Sequence, residues 1–338
     1  MNITERLVDE IIPYAHRLED RFSDPYTYTH PLRQQLTNIS DGLIKNEYIT
    51  ETGAILKRPN VNAQFVYAQV ANCASAFKMM GALEHNKGLA VNRLLQIGLD
   101  TIRTGDFLVS LICFRSVIEH VAHFHTAVRN AEVIKIPETS ADCVNILFDY
   151  HGVLFSAAYG TRTDWTSALT AEKARWQQKA FTYSPSPSRL DLQSKSIMNH
   201  IDKLSKSVPG SRTIYEILCE FAHPNGGTFF SFLTSADSYI GQGGLKWVRQ
   251  EFASSDPTAF LNESQPLFQN LFDIFKEVLQ QFEEDLEKWS AQKKKIAKLT
   301  QRIVRDMLER HSSLFDPYGP CPCGSSRKLK FCCKRHLP

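Results

Sequence analysis

The sequence predicts a mainly α-helical protein, a multi-helix bundle with a small β-hairpin and a long C-terminal helix. Apolar residues recur at three- and four-residue steps along most of the chain, which is the period of an amphipathic helix. One short aromatic stretch breaks this pattern. The 338 residues are 43% hydrophobic and 22% charged, an ordinary globular composition that excludes a chain disordered throughout, a collagen and a simple coiled coil.

Residues 1–260 form the predicted helical body, as one domain or two. The first 60 residues predict short amphipathic helices with a turn at 23–25. Breaks at Gly88 and at 104–105 divide the next helical stretch into at least three helices. The third, about 106–128, carries a core-facing stripe of Leu108, Leu111, Phe114, Ile118, Val121 and His125.

The second half of the body predicts further helices at about 191–206 and 213–222. The aromatic stretch 228–233 predicts a strand, and 245–248 pairs back with it as a small hairpin after a glycine-rich turn. Ser264 and Pro266 then predict the start of a long helix, assigned to 261–312 and ending near Arg310.

The charge is unevenly divided along the chain. Residues 288–338 hold thirteen Lys and Arg against three acids, a net of +10, so the total of +3 leaves −7 for the preceding residues. A basic tail on an acidic body predicts contact with RNA or a ribosome; the alternative is a solvated Lys-rich helix. The residues assigned to this contact are Lys293, Lys294, Lys295, Lys298, Arg302, Arg327, Lys328 and Lys330.

Four of the eight cysteines crowd into thirteen residues near the C-terminus: Cys321, Cys323, Cys332 and Cys333. Four thiolates this close in sequence suit one tetrahedral, structural Zn²⁺, with no position left for a catalytic water. The alternatives are His336 as fourth ligand, or a redox-active or disulfide-linked tail. The surrounding cations offset the negative charge of a four-thiolate site.

Residues 313–338 resemble the SEC-C motif, the zinc-binding tail of the bacterial SecA ATPase. Cys321, Cys323 and Cys332 fall on the first three ligands of the motif, and Cys333 falls on the fourth, which is His or Cys in the family. The chain departs at Ser326, where a second Gly is usual, and at Leu329, where Tyr is common. The resemblance implies docking to a protein partner such as a chaperone, or to the ribosome.

The stretch from Arg115 to His123 holds the most chemistry in the body. Arg115 and Glu119 lie four residues apart on one helix face, beside His120. One interpretation is a structural ion pair that fixes helix packing. His223 ends a predicted helix before Pro224, where it either caps the helix or joins Arg115 and Glu119 in a site.

The body resembles the HEPN-like helical domains of prokaryotic toxin–antitoxin and phage-defence proteins, whose marker is Arg, four to six residues, then His. Arg115 and His120 have this spacing, although Ser116 follows the Arg where the family prefers Asn, Asp or His. The resemblance implies a homodimer that cuts RNA without a metal. His would move the 2′-OH or leaving-group proton, and Arg would stabilise the phosphorane.

Two functions therefore stay open. One is a bacterial stress or phage-defence protein that binds RNA or ribosomes and cleaves RNA with Arg115 and His120. The other is a non-enzymatic adaptor whose zinc tail docks to a partner. The longest apolar run, 107–114, is short of a membrane span of about 20 residues, and the N-terminus lacks a signal-like apolar stretch, so we expect a cytoplasmic protein.

Overall fold

The structure is a computed structural model in which the chain is mainly α-helical, as the sequence predicts. It contains six α-helices and two strands among the described residues. The residues that it describes are 3–26, 61–104, 106–134, 150, 153–154, 157, 196–222, 233–240, 246–252, 265–310, 316–319, 321 and 327–332.

Helix α1 spans Ile3–Phe22 and ends at the predicted turn. Its buried face consists of Val8, Ile11, Ala15, Leu18 and Phe22, which recur every three or four residues. The residues between them are mostly charged and exposed, so α1 is a surface helix that packs along one stripe.

Helix α2 spans Val61–Arg103 without interruption, so the predicted break at Gly88 is wrong. Gly88 instead lies where α2 closely approaches α1. A Cβ atom at this position would lie 2.2 Å from a ring carbon of Phe22. The predicted break after Arg103 is confirmed, because α2 ends there and helix α3 begins at Phe107.

Helix α3 spans Phe107–Val133 and is buried on most sides. The predicted stripe is buried at five of its six positions, and Leu108 is half-buried. Among the described residues, α3 alone has the length and composition of a membrane-crossing helix. However, 56% of its apolar window is buried inside the protein, as in the core helices of soluble proteins.

Helices α4 (Ile197–Ser205) and α5 (Ser211–Ala222) are joined by a tight turn. Gly210 closes this turn with a φ of +88°, a conformation that favours glycine. A Cβ atom at Gly210 would also approach the side chain of Ile274 to 2.8 Å. His223, the residue after α5, lies outside the described residues.

Strands β1 (Leu233–Ile240) and β2 (Lys246–Phe252) pair antiparallel, with Ser238 opposite Val248. The register shifts between Leu233 and Ser235. Of the predicted strand 228–233, only Leu233 lies in the described part of the chain, and the described pair runs later along the sequence than predicted.

Helix α6 spans Gln265–Arg310, which confirms the predicted long helix and its start. Its 46 residues give a length of roughly 70 Å at 1.5 Å per residue. Its apolar positions are buried along the helix, among them Leu271, Phe275, Val278, Phe282, Leu286, Trp289, Ile296 and Leu299.

The chain divides into two compact units. The first comprises Met1–Pro25, His85–Thr126 and Lys195–Leu286, and the second comprises Tyr26–Glu84, Ala127–Ser194 and Glu287–Pro338. The core of the first unit contains Phe114 packed against Phe272 and Phe275, with ring centroids 6.2 and 4.8 Å away. In the second unit, the buried Trp289 indole donates to the carbonyl of Met80 at 3.0 Å.

Candidate functional site

Arg115 and Glu119 form the ion pair that their spacing on α3 predicts, with Arg115 Nη2 2.9 Å from Glu119 Oε1. Helix α5 completes the network. The Tyr215 hydroxyl donates to Glu119 at 2.8 Å, while Arg115 donates to the Tyr215 oxygen and the Cys219 sulfur, each at 3.2 Å. Arg115 is therefore held between two helices by three partners.

The network is half-buried rather than sealed, with side-chain exposures of 22% for Arg115 and 30% for Glu119. Burial raises the pKa of the Tyr215 hydroxyl, and its hydrogen bond to Glu119 raises it further, so the phenol stays protonated as a donor. This arrangement suits helix packing, because each polar group has a partner on the same or the adjacent helix.

His120 contacts a different helix from the one Arg115 contacts. Five positions along a helix correspond to about 140° of rotation, so Arg115 and His120 project in different directions from α3. Lys87 Nζ on α2 lies 3.5 Å from His120 Nδ1. The sequence pair is therefore divided between α5 and α2, and the described contacts do not bring the two side chains into one site.

His120 belongs instead to a cluster of basic groups. His123, one turn further along α3, stacks on His200 of α4 with ring centroids 4.1 Å apart. His200 Nδ1 lies 2.9 Å from the Thr126 hydroxyl. Burial, together with Lys87, lowers the pKa of His120 to about 4, and burial, together with His200 and Lys87, lowers the pKa of His123 to about 3. These imidazoles are neutral at pH 7.

A second polar group, which the sequence does not reveal, lies in the core of the first unit. His125 Nδ1 is 2.7 Å from Asp285 Oδ2 on α6, and His125 Nε2 is 3.2 Å from the Ser207 hydroxyl. The sequence places His125 correctly on the core-facing stripe. Its partners are 82 and 160 residues away in sequence, so no local spacing indicates them.

The C-terminal segment folds back on itself through backbone hydrogen bonds. The N–H of Cys321 donates to the carbonyl of Arg327 at 2.7 Å, and the N–H of Leu329 donates to the carbonyl of Gly319 at 2.8 Å. A 3₁₀ turn over Leu329–Phe331 then leads to Cys332. These bonds place the segment that carries Cys321 beside the turn that carries Cys332.

The chemistry of the four cysteines fits Zn²⁺, because thiolate sulfur is its preferred ligand in structural sites. Cys323 and Cys333 lie outside the described residues, so the predicted ligand set is only half described. Within the described residues, no three His, Cys, Asp or Glu side chains converge as a metal site. The zinc site accordingly stays a prediction.

The second half of α6 presents a basic face. Lys295, Lys298, Arg302 and Arg305 are exposed at three- and four-residue steps, whereas Ile296 and Leu299 in the same stretch are buried. Lys294 is exposed as well. Lys293 differs from them, because its Nζ lies 2.6 Å from Glu84 Oε2, a buried carboxylate. In the C-terminal segment, Arg327, Lys328 and Lys330 are exposed as well.

No protein family, curated protein or solved structure matches this chain. The resemblances to the SEC-C motif and to HEPN-like domains therefore rest on the residues quoted for them.

Proposed function

We propose that this chain is a zinc-binding protein that binds RNA, free or in the ribosome, through the basic face of α6 and the cations of its C-terminal knuckle. The observation that carries the proposal is the exposed row of Lys295, Lys298, Arg302 and Arg305, a stretch of about three helical turns whose sequence contains no acidic residue before Asp306.

The spacing of this face suits a phosphate backbone. The eleven residues from Lys295 to Arg305 cover about 15 Å of helix axis, enough to lie beside two or three successive phosphates of one strand. The same stretch of helix is anchored in the protein by buried apolar residues such as Ile296 and Leu299. The cations thus extend from a fixed support, which reduces the entropy lost on binding.

The knuckle adds a second group of cations. Zn²⁺ held by Cys321, Cys323, Cys332 and Cys333 would supply the folding energy of a segment too short for its own core. In that fold, Arg327 and Lys328 are exposed beside the cysteines. They would balance the thiolate charge and meet the same RNA backbone.

RNA cleavage is not part of this proposal. Arg115 is engaged by Glu119, Tyr215 and Cys219, whereas His120 contacts Lys87. A phosphorane needs the cation and the proton-transfer group at one place. Cleavage by this pair remains a prediction of the HEPN resemblance.

The test measures binding of the full chain to a 20-nucleotide single-stranded RNA and to purified ribosomes at several salt concentrations. We expect the combined variant Lys295→Gln, Lys298→Gln, Arg302→Gln to weaken binding and to reduce the slope of log K against log salt by about 2, because each lost phosphate contact removes about 0.7. The matched control, Arg93→Gln, Arg103→Gln, Lys206→Gln, removes three exposed cations elsewhere and should leave both quantities unchanged.

Equal effects of the two triple variants would overturn the proposal, because binding would then follow net charge alone. Specific capture of a protein partner without measurable RNA or ribosome binding would also overturn it and would favour the adaptor function.

A further inference from the structure

Ser207, His125 and Asp285 form a continuous chain of hydrogen bonds across three elements of the first unit. Asp285 on α6 contacts His125 Nδ1 at 2.7 Å, and His125 Nε2 on α3 contacts the Ser207 hydroxyl at 3.2 Å. Ser207 lies in the turn between α4 and α5. An acid, an imidazole and a hydroxyl in this order are recognised by geometry, whatever their order in sequence.

The hydrogen bonds also fix where the protons lie. Gln281 Nε2 donates to Asp285 Oδ1 at 3.2 Å, so the carboxylate accepts from the amide on one oxygen and from His125 Nδ1–H on the other. In the neutral form of the imidazole, Nε2 then carries the lone pair and accepts a hydrogen bond from the Ser207 hydroxyl. This tautomer is the one that a general base for a serine nucleophile requires.

The three hydrogen-bonded residues differ in burial. The Asp285 and His125 side chains are 0% and 1% exposed, whereas Ser207 is half-exposed between the exposed Lys206 and Pro209. Of the three residues, only Ser207 is partly exposed. A buried carboxylate holds its histidine strongly, and the partly exposed Ser207 is the member of the three closest to solvent.

We infer that Ser207 is an activated nucleophile that accepts acyl groups from carboxylic esters, with His125 as its general base and Asp285 as the positioning residue. Ser207 Oγ forms a bond to the carbonyl carbon and its proton passes to His125 Nε2. The ester C–O bond breaks, and the departing alcohol takes that proton. Water then attacks the acyl-serine, gives one proton to His125, and the Ser207 oxygen leaves with it.

The test treats the full chain with an alkyl fluorophosphonate, which forms a bond between serine oxygen and phosphorus as fluoride leaves. Mass spectrometry of the digested protein identifies the labelled residue. We expect label on Ser207 and none after Ser207→Ala. His125→Gln should slow labelling about 100-fold or more, because general-base catalysis contributes at least that much.

Asp285→Asn should slow labelling as well and change its pH profile, which a merely structural role would not do. The matched control is Ser116→Ala, which removes another half-exposed hydroxyl from the same unit and should label like the wild type.

Because His125 and Asp285 are core residues, their variants could fail to fold, and circular dichroism identifies that case. Ser207→Ala lies on a surface turn and keeps the test decisive. Label spread over several serines of the folded wild type, or no label at all, would overturn the inference and leave the three residues as a packing network.

Discussion

The two histidines beside Lys87 predict an acid-side loss of stability. The pKa of His120 is lowered to about 4 and that of His123 to about 3, because both imidazoles are buried. In the unfolded chain both titrate near 6.5, so below about pH 6.5 the unfolded state binds more protons than the native state. The free energy of unfolding should therefore fall as the pH drops from 6.5 towards 4, by up to about 1.4 kcal/mol per pH unit for each histidine.

Urea unfolding at pH 7.0, 6.0 and 5.0 measures this slope, and His123→Gln should make it shallower. The groups that face His123 are His200 on α4, Lys87 on α2 and His120 on its own helix. His16→Gln on the exposed side of α1 is the control. An unchanged slope in His123→Gln would contradict the assignment of a neutral, buried imidazole.

At the scale of single residues, the sequence predicts contacts between side chains within one helical turn. The four-residue spacing of Arg115 and Glu119 predicts their ion pair, which the structure confirms. The partners Tyr215 and Cys219 are 100 and 104 residues from Arg115, and periodicity contains no information on such contacts. The same holds for the pairing of His120 with Lys87.

At the scale of the elements, the continuous α2 makes a prediction about Gly88. Alanine in a helix interior is favoured over glycine by about 1 kcal/mol. At Gly88, however, the added methyl carbon would lie 2.2 Å from the Phe22 ring. We expect Gly88→Ala to lower the free energy of unfolding by about 1–3 kcal/mol, the cost of overpacking.

Denaturant unfolding tests this expectation, with the exposed Asn86→Ala in the same helix as the control for intrinsic propensity. Phe22→Leu in the Gly88→Ala background should recover part of the loss. A Gly88→Ala variant more stable than the wild type would show that the two helices do not approach closely there.

Helix ends with a local signal are easier to predict from the sequence than the continuity of a helix through an internal glycine. The start of α6 and the break before α3 have local signals, namely Pro266 and the Thr104–Gly105 pair. Gly88 has the same local signal as a helix end. Its actual role depends on Phe22, a residue on another helix, so only the packed structure distinguishes the two roles.

For the whole molecule, we expect one Zn²⁺ per chain and a local effect of its removal. A strong chelator should unfold the segment around residues 317–332 while the far-ultraviolet circular dichroism of the six helices is retained, because the helices lie elsewhere in the chain. Metal analysis and hydrogen exchange measure the two effects.

Cys321→Ser and Cys332→Ser should each lower the zinc content, whereas Cys113→Ala, a buried cysteine of α3, should not. Zinc retained in both serine variants would contradict the four-thiolate site. The predicted zinc site rests on cysteine spacing, which is local in sequence, whereas the partners of Arg115 are distant in sequence.

The division into two units limits how the gene for this chain can be rearranged. Each unit is assembled from three separated stretches of sequence, and the stretches of one alternate with those of the other. A contiguous piece of the gene that encodes all of one unit also encodes part of the other unit. A single recombination event therefore cannot transfer one unit alone. Duplication, loss or fusion of one complete unit in a single event must therefore include sequence of the other unit.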